Sequence, residues 1–282
     1  MTGAIKQDSS KERLIKTLHI DTSLQIERCK IPAISDIVEK TIAAFDFSST
    51  STFAKFEFLR AWIRDLLYLY DNSLDIKRPE DLTGLVNHRL NKCPYNKRRV
   101  SRCLDGIQKY LSLTPGNIPY DAAVVRFRAH LRNGILGSNT WWERSIHYEF
   151  DGTGCMCAKE KPVQRVGGRI EMIIKKCKPE RIECQIKSFF EKNKHLFIKI
   201  KEAIESLGSG ASKELLNAKD TIETVLKKPY KLCDDSVCSK LGDIIIAIDG
   251  IEMDTFAANN DKEWVLIAQT LDKQLLNPLK KD

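Results

Sequence analysis

Three acidic side chains in this chain stand among apolar residues. Asp21 follows the short run Thr17-Leu18-His19-Ile20, Glu57 sits among Phe53, Phe56 and Phe58, and Asp243 precedes Ile244-Ile245-Ile246-Ala247-Ile248. A carboxylate in an apolar segment is costly to bury unless it is paired, hydrogen-bonded or bound to a cation. A single acid of this kind is accounted for by a helix cap or an ion pair. Three that converge repel one another unless a divalent cation holds them together.

The surrounding elements must position these acids. Residues 17–20 are short and rich in β-branched side chains, which predicts a buried strand ending at Asp21. Ile34, Ile37, Val38, Ile42 and Phe45 recur at helical spacing, with Pro32 or Ser35 as the start. The small residues 48–52 read as a loop leading into a helix over 53–70, with Ser51 or Thr52 as its N-cap. Residues 74–227 read mostly as helix, with periodic segments at 81–90, 100–113, 120–134 and 186–207. Residues 141–184 differ, being rich in Gly and Cys. Gly208-Ser209-Gly210 is a break, followed by a helix over 212–226 that Pro229 ends. Residues 244–248 read as a buried helix turn or strand, 255–258 as a second buried segment, and 263–275 as a final helix.

With 282 residues, 42% hydrophobic and 30% charged, the chain can build a core of one large domain or two small ones, which excludes a disordered or collagen-like class. No apolar run is long enough to span a bilayer. Residues 1–16 are polar and lack the apolar stretch of a signal peptide, so the expected location is the cytoplasm. The net charge of +8 is compatible with a polyanionic partner. Nine cysteines in a reducing compartment favour metal ligation or simple burial over disulfides.

Taken in order, Ile20-Asp21-Thr22-Ser23, Ser49-Thr50-Ser51-Thr52 running to Glu57, Leu241-Gly242-Asp243-Ile244-Ile245-Ile246-Ala247, and Ala258-Asn259-Asn260-Asp261-Lys262-Glu263-Trp264 resemble the PIN domain, a metal-dependent nuclease fold. The resemblance covers 17–75 and 228–282. It implies an α/β core, a short parallel sheet flanked by helices, interrupted by a mostly helical insertion over 76–227 and preceded by a loose start, 1–16. It implies that Asp21, Glu57 and Asp243 hold one or two Mg2+ or Mn2+ ions, hard cations that prefer oxygen ligands. Thr22 and Asn260 would be orienting residues beside them. The implied activity is endoribonuclease-like cleavage of phosphodiester bonds by metal-activated water. RNA is favoured over DNA as partner, and an inhibitor protein or a second copy of the chain is left open. The chain departs from the family pattern at Asn260, which stands in an acidic slot with Asn259 in place of Thr; Asp261 or Asp249 could partly substitute. A PIN-like module that binds nucleic acid or protein without cleaving is the alternative reading.

Two further stretches carry candidate chemistry. Residues 88–102 contain six Lys or Arg and no acid, and Lys97, Arg98 and Arg99 beside Tyr95 suit a nucleic-acid contact. The competing reading is a solvated face. Trp141 and Trp142 suit base stacking or, more simply, the core. Cys155, Cys157, Cys177 and Cys184 could supply the four ligands of a structural Zn2+, with Cys233 and Cys238 as substitutes; buried thiols are the other reading.

Overall fold

The computed structural model describes residues 15–29, 32–78, 81–82, 84, 97–113, 119–159, 162–167, 169–173, 184–259 and 262–280. Strand β1 (Thr17–Ile20) leads through helices α1 (Thr22–Arg28) and α2 (Pro32–Ala43) to β2 (Phe47–Ser51). Helices α3 (Thr52–Ser73), α4 (Lys97–Leu113) and α5 (Tyr120–Ser145) precede β3 (Tyr148–Phe150). A hairpin of β4 (Val163–Val166) and β5 (Arg169–Met172) follows, then α6 (Ile186–Lys192), α7 (Lys194–Ser206), α8 (Lys213–Lys227), α9 (Asp235–Lys240) and α10 (Gly242–Asp249). The remaining elements are β6 (Thr255–Ala257), α11 (Lys262–Thr270) and β7 (Gln274–Leu276).

The fold is α/β: five strands in the order β3-β2-β1-β6-β7, each parallel to its neighbours, flanked by helices. Alternation along β1 separates the two faces. Leu18 and Ile20 pack with Leu24, Val38 and Ile42 on the side of α1 and α2. His19 points the other way, between Phe150 and Phe256. Burial holds its pKa down at about 4, so the ring is neutral at pH 7, with Nδ1 3.0 Å from Ser49 Oγ. The main apolar core runs through α3, α5, α7, α8, α10 and α11 and includes Phe53, Phe58, Phe127, Phe197, Ile245 and Trp264. Fully burying one such aromatic side chain contributes about 1.5–3 kcal/mol. Among the described residues, no helix is long and apolar enough to cross a membrane.

Several elements differ from the expectations above. The small residues 48–52 form no loop. Phe47–Ser51 is a buried strand between β1 and β3, and its hydroxyls are satisfied by the backbone of β1: Thr50 Oγ1 donates to the Ile20 carbonyl at 2.7 Å and Ser49 Oγ to that of Leu18 at 3.3 Å. Tyr148–Phe150 forms the edge strand β3, and Trp141 and Trp142 lie within α5. The helix foreseen over 263–275 stops at Thr270, where Asp272 turns with φ 56°, and Gln274–Leu276 becomes β7. The helix foreseen over 186–207 breaks at Asn193, which caps α6 and starts α7.

Candidate active site

In a parallel sheet every strand ends at the same edge. Here β1, β2 and β3 build outward in one direction and β6 and β7 in the other, so the chain reverses its order between β1 and β6. The crevice outside the carboxyl ends of strands at such a switch point is where open α/β sheets bind ligands. Asp21 is the first residue past β1, and its backbone N–H donates to the Ala257 carbonyl at the end of β6 at 2.9 Å.

Asp21 is 2% exposed and caps α1. Its Oδ2 accepts from the Ser23 backbone N–H at 2.9 Å and from Ser23 Oγ at 2.5 Å. Ser23 Oγ in turn accepts from the Asn259 N–H at 3.2 Å, which ties the second residue after β6 to the same carboxylate. Asn259 Nδ2 also donates to Glu27 Oε1 at 3.2 Å. Capping residues of this type satisfy the open N–H groups of a helix start, so Asp21 has a structural role whatever else it does.

Glu57 meets this group from α3. Thr22 Oγ1 donates to Glu57 Oε2 at 3.1 Å. Glu57 keeps partial solvent exposure, yet burial of its carboxyl pushes the pKa up to about 8; the nearby Asp21 charge adds to the rise, while the Thr22 hydroxyl and Arg60 oppose it. Loss of hydration disfavours the charged form, and a like charge nearby disfavours it further. On the opposite side stands Gly242, the residue before Asp243. A Cβ at 242 would overlap Glu57 Oε1. A side chain at 242 would therefore force the Glu57 carboxyl out of its present position.

Asp243 occupies the first turn of α10 and is half-buried. It lines a cleft of about 280 Å³ with Glu214, Asn217, Ser239, Lys240 and Glu263. The structure thus brings Asp21, Thr22 and Glu57 together and sets the start of α10 against Glu57. Among the described residues, no three His, Cys, Asp or Glu side chains are gathered in an arrangement that could hold a metal ion. Asn260, Asp261, Tyr95 and Cys177 lie outside the described residues. Lys97, Arg98 and Arg99 form the start of α4. Cys155 and Cys157 are buried and Cys184 is half-buried.

Asp249, weighed from the sequence as a substitute acid, lies at the far end of α10 from Asp243. Its Oδ2 accepts from Ser51 Oγ at 2.6 Å, and a Cβ at Gly152 would overlap its Oδ1. Burial pushes its pKa up to about 7, opposed by the Ser51 hydroxyl and the Gly152 N–H and reinforced by Asp151 and Glu149. It anchors the loop after β3 to the end of β2.

Sequence reasoning missed Ser23, Glu27 and Gly242 as parts of this site. Gly242 carried a signal in its pairing with Asp243. Glu27 carried no such signal: only the structure shows that α1 buries Gln25, Glu27 and Arg28. Arg28 pairs with Glu39 at 2.7 Å and donates to Gln25 at 2.8 Å, so the polar face of α1 is neutralised internally. Compared with protein-family models, curated proteins and solved structures, the chain matches none.

Proposed function

We propose that this chain is a metal-dependent nuclease, endoribonuclease-like in activity, built on a PIN-like core. The observation that carries the reading is the contact of Asp21, Thr22 and Glu57 at the switch point of a parallel sheet, with a glycine of another helix set against Glu57. Two carboxyl groups crowded together are unfavourable without a cation, and the oxygen-only donor set suits Mg2+ or Mn2+. Asp21 and Glu57 are the pair that would hold the ion, and Asp243, which lines the neighbouring cleft at the start of α10, is assigned as the third carboxylate, to be drawn in by the ion itself. When bound, such an ion lowers the pKa of water and offsets charge on a phosphate under attack.

The chain's own groups do the positioning. Ser23 and the first turn of α1 fix the Asp21 carboxylate, and Thr22 fixes Glu57 through Oε2. Asn259 ties the segment after β6 to both Ser23 and Glu27. Asn260 is assigned an orienting role next to it. Lys97, Arg98 and Arg99, with Tyr95, are assigned to the polyanion.

The test is a cleavage assay on mixed single-stranded RNA and DNA with Mn2+ and then EDTA. Metal-dependent cleavage that prefers RNA is expected. A thermal shift with Mn2+ but no cleavage of either strand would favour the non-cleaving module, and no Mn2+ response of any kind would remove the metal site from the account.

A further inference from the structure

A second cavity lies beyond the other end of α1. It has a volume of about 240 Å³ and is formed where α3, α4 and α5 meet the end of α1 at Cys29. Its walls are two indoles and, facing them, three glycines. Trp62 and Trp141, on its walls, both stack near-parallel on Phe58, at 6.4 Å and 16° and at 5.1 Å and 24°. Arg28, held by Glu39, lies over the Trp141 ring at 5.7 Å, so that indole, stacked on Phe58 and covered by Arg28, serves as a fixed wall, and Trp62 is the ring left to stack on a ligand. Facing them, Gly106 on α4 and Gly134 and Gly137 on α5 contribute no side chains. A Cβ at Gly137 would meet nothing within 4 Å, so the space beside it is open.

The rim is polar. Lys109 Nζ donates to the Cys29 carbonyl at 2.8 Å, and His130 and the exposed Asn133 stand on the same cavity. Burial and Lys109 together lower the His130 pKa, which keeps a neutral ring able to donate and accept. Aromatic walls with amide, imidazole and ammonium groups at the mouth match a heteroaromatic ring with hydrogen-bonding edges. A cavity of about 240 Å³ is too small to take in a helix, whose diameter with side chains is about 10 Å.

We propose that this cleft binds a nucleobase, and that it is a base subsite flanking the Asp21 and Glu57 site. The inference rests on the nuclease reading for its substrate class. Helix α1 joins the two places: Asp21 caps its start and Cys29 its end. Seven helical residues span about 10 Å, so a strand with a phosphate at Asp21 has a neighbouring base within reach of the cleft.

The experiment measures quenching of tryptophan fluorescence in EDTA, where no cleavage occurs, with AMP and UMP in one arm and short oligoadenylate and oligouridylate in the other. Gly137→Leu fills the cavity, and Asn133→Leu removes a rim amide at an exposed position without touching the core. Melting temperature is recorded for each. The expected result is saturable quenching of the wild-type protein, with affinity about tenfold or more weaker in Gly137→Leu and weaker also in Asn133→Leu. Binding of mononucleotides alone assigns the cleft to a free nucleotide, and stronger binding of oligonucleotides assigns it to a strand. Equal affinity in wild type and both folded variants, or no quenching by any of these ligands, overturns the proposal. A loss of the nuclease reading shows itself separately, as absence of Mn2+-dependent cleavage by a wild-type protein that still binds the base.

Discussion

Gly242 and Glu57 touch across the junction of α10 and α3, so closely that a methyl group at 242 would displace Glu57 Oε1. The contact makes a short aliphatic helix part of the acidic site. Its backbone, rather than a side chain, forms one wall.

Gly242→Ala tests that wall. Alanine is normally favoured over glycine in a helix by up to about 1 kcal/mol. Here the Glu57 carboxyl must swing aside and give up its bond from Thr22, so the gain is expected to be cancelled or turned into a loss of up to about 1 kcal/mol. Thermal denaturation measures it, and a melting temperature above wild type would contradict the contact.

Glu57→Gln removes a carboxyl that resists ionisation while leaving an acceptor for Thr22. With the folded pKa near 8, well above the usual carboxylate value, the folded state keeps a proton that the unfolded chain has lost between about pH 4.5 and 8. Stability from this group is therefore lost as pH rises through that window. The variant is expected to melt several degrees higher than wild type at pH 8 in EDTA and to lose Mn2+-dependent cleavage by at least about a hundredfold.

Asp243→Asn is nearly isosteric at a half-buried position. Cleavage is expected to fall to background while the melting temperature is kept or raised. Gel-based cleavage of labelled RNA decides it; an active variant would remove Asp243 from the metal set.

Asp249→Asn addresses the other end of α10. The folded carboxyl is raised from 3.8 to about 7, with Ser51, the Gly152 N–H, Asp151 and Glu149 facing it. Wild-type stability from this group falls as pH rises from about 4 to 7. The variant is expected to be more stable than wild type at pH 8, by on the order of 2–4 kcal/mol before losses from changed hydrogen bonding, and to converge with it near pH 4. Urea melts at both pH values supply the comparison, and a pH-independent difference would contradict the assignment.

Replacing Lys97, Arg98 and Arg99 together by Ala is expected to weaken RNA binding and to reduce the slope of log K against log salt by about 2–3. Filter binding at several salt concentrations measures both. Unchanged affinity would remove the start of α4 from the interface.

How far the fold could be read from the sequence depended on whether a residue's partner was local. β1, α3 with its Ser51 cap and the buried run of α10 follow from β-branching, periodicity and capping, all of which act within a few residues. β2 did not, because Ser-Ser-Thr-Ser has the composition of a loop. Its hydroxyls are satisfied by Leu18, Ile20, His147 and Asp249, which come from distant parts of the chain. β7 was hidden because the turn before it uses Asp272 in the left-handed region, where glycine would have flagged a stop. At the candidate site, Asp21 and Glu57 were legible as acids in apolar surroundings. The roles of Ser23 and Glu27 depend on Asn259, more than 200 residues away in the chain.

Helix α10 begins with a glycine pressed on one carboxyl group and ends with a carboxyl group pressed on another glycine. Its eight residues therefore act as a spacer of set length between Glu57 and the loop after β3. Adding or deleting one residue would turn one end by about 100° relative to the other. Both contacts cannot survive such a change, so this segment should accept exchanges among aliphatic side chains far more readily than any alteration in its residue count.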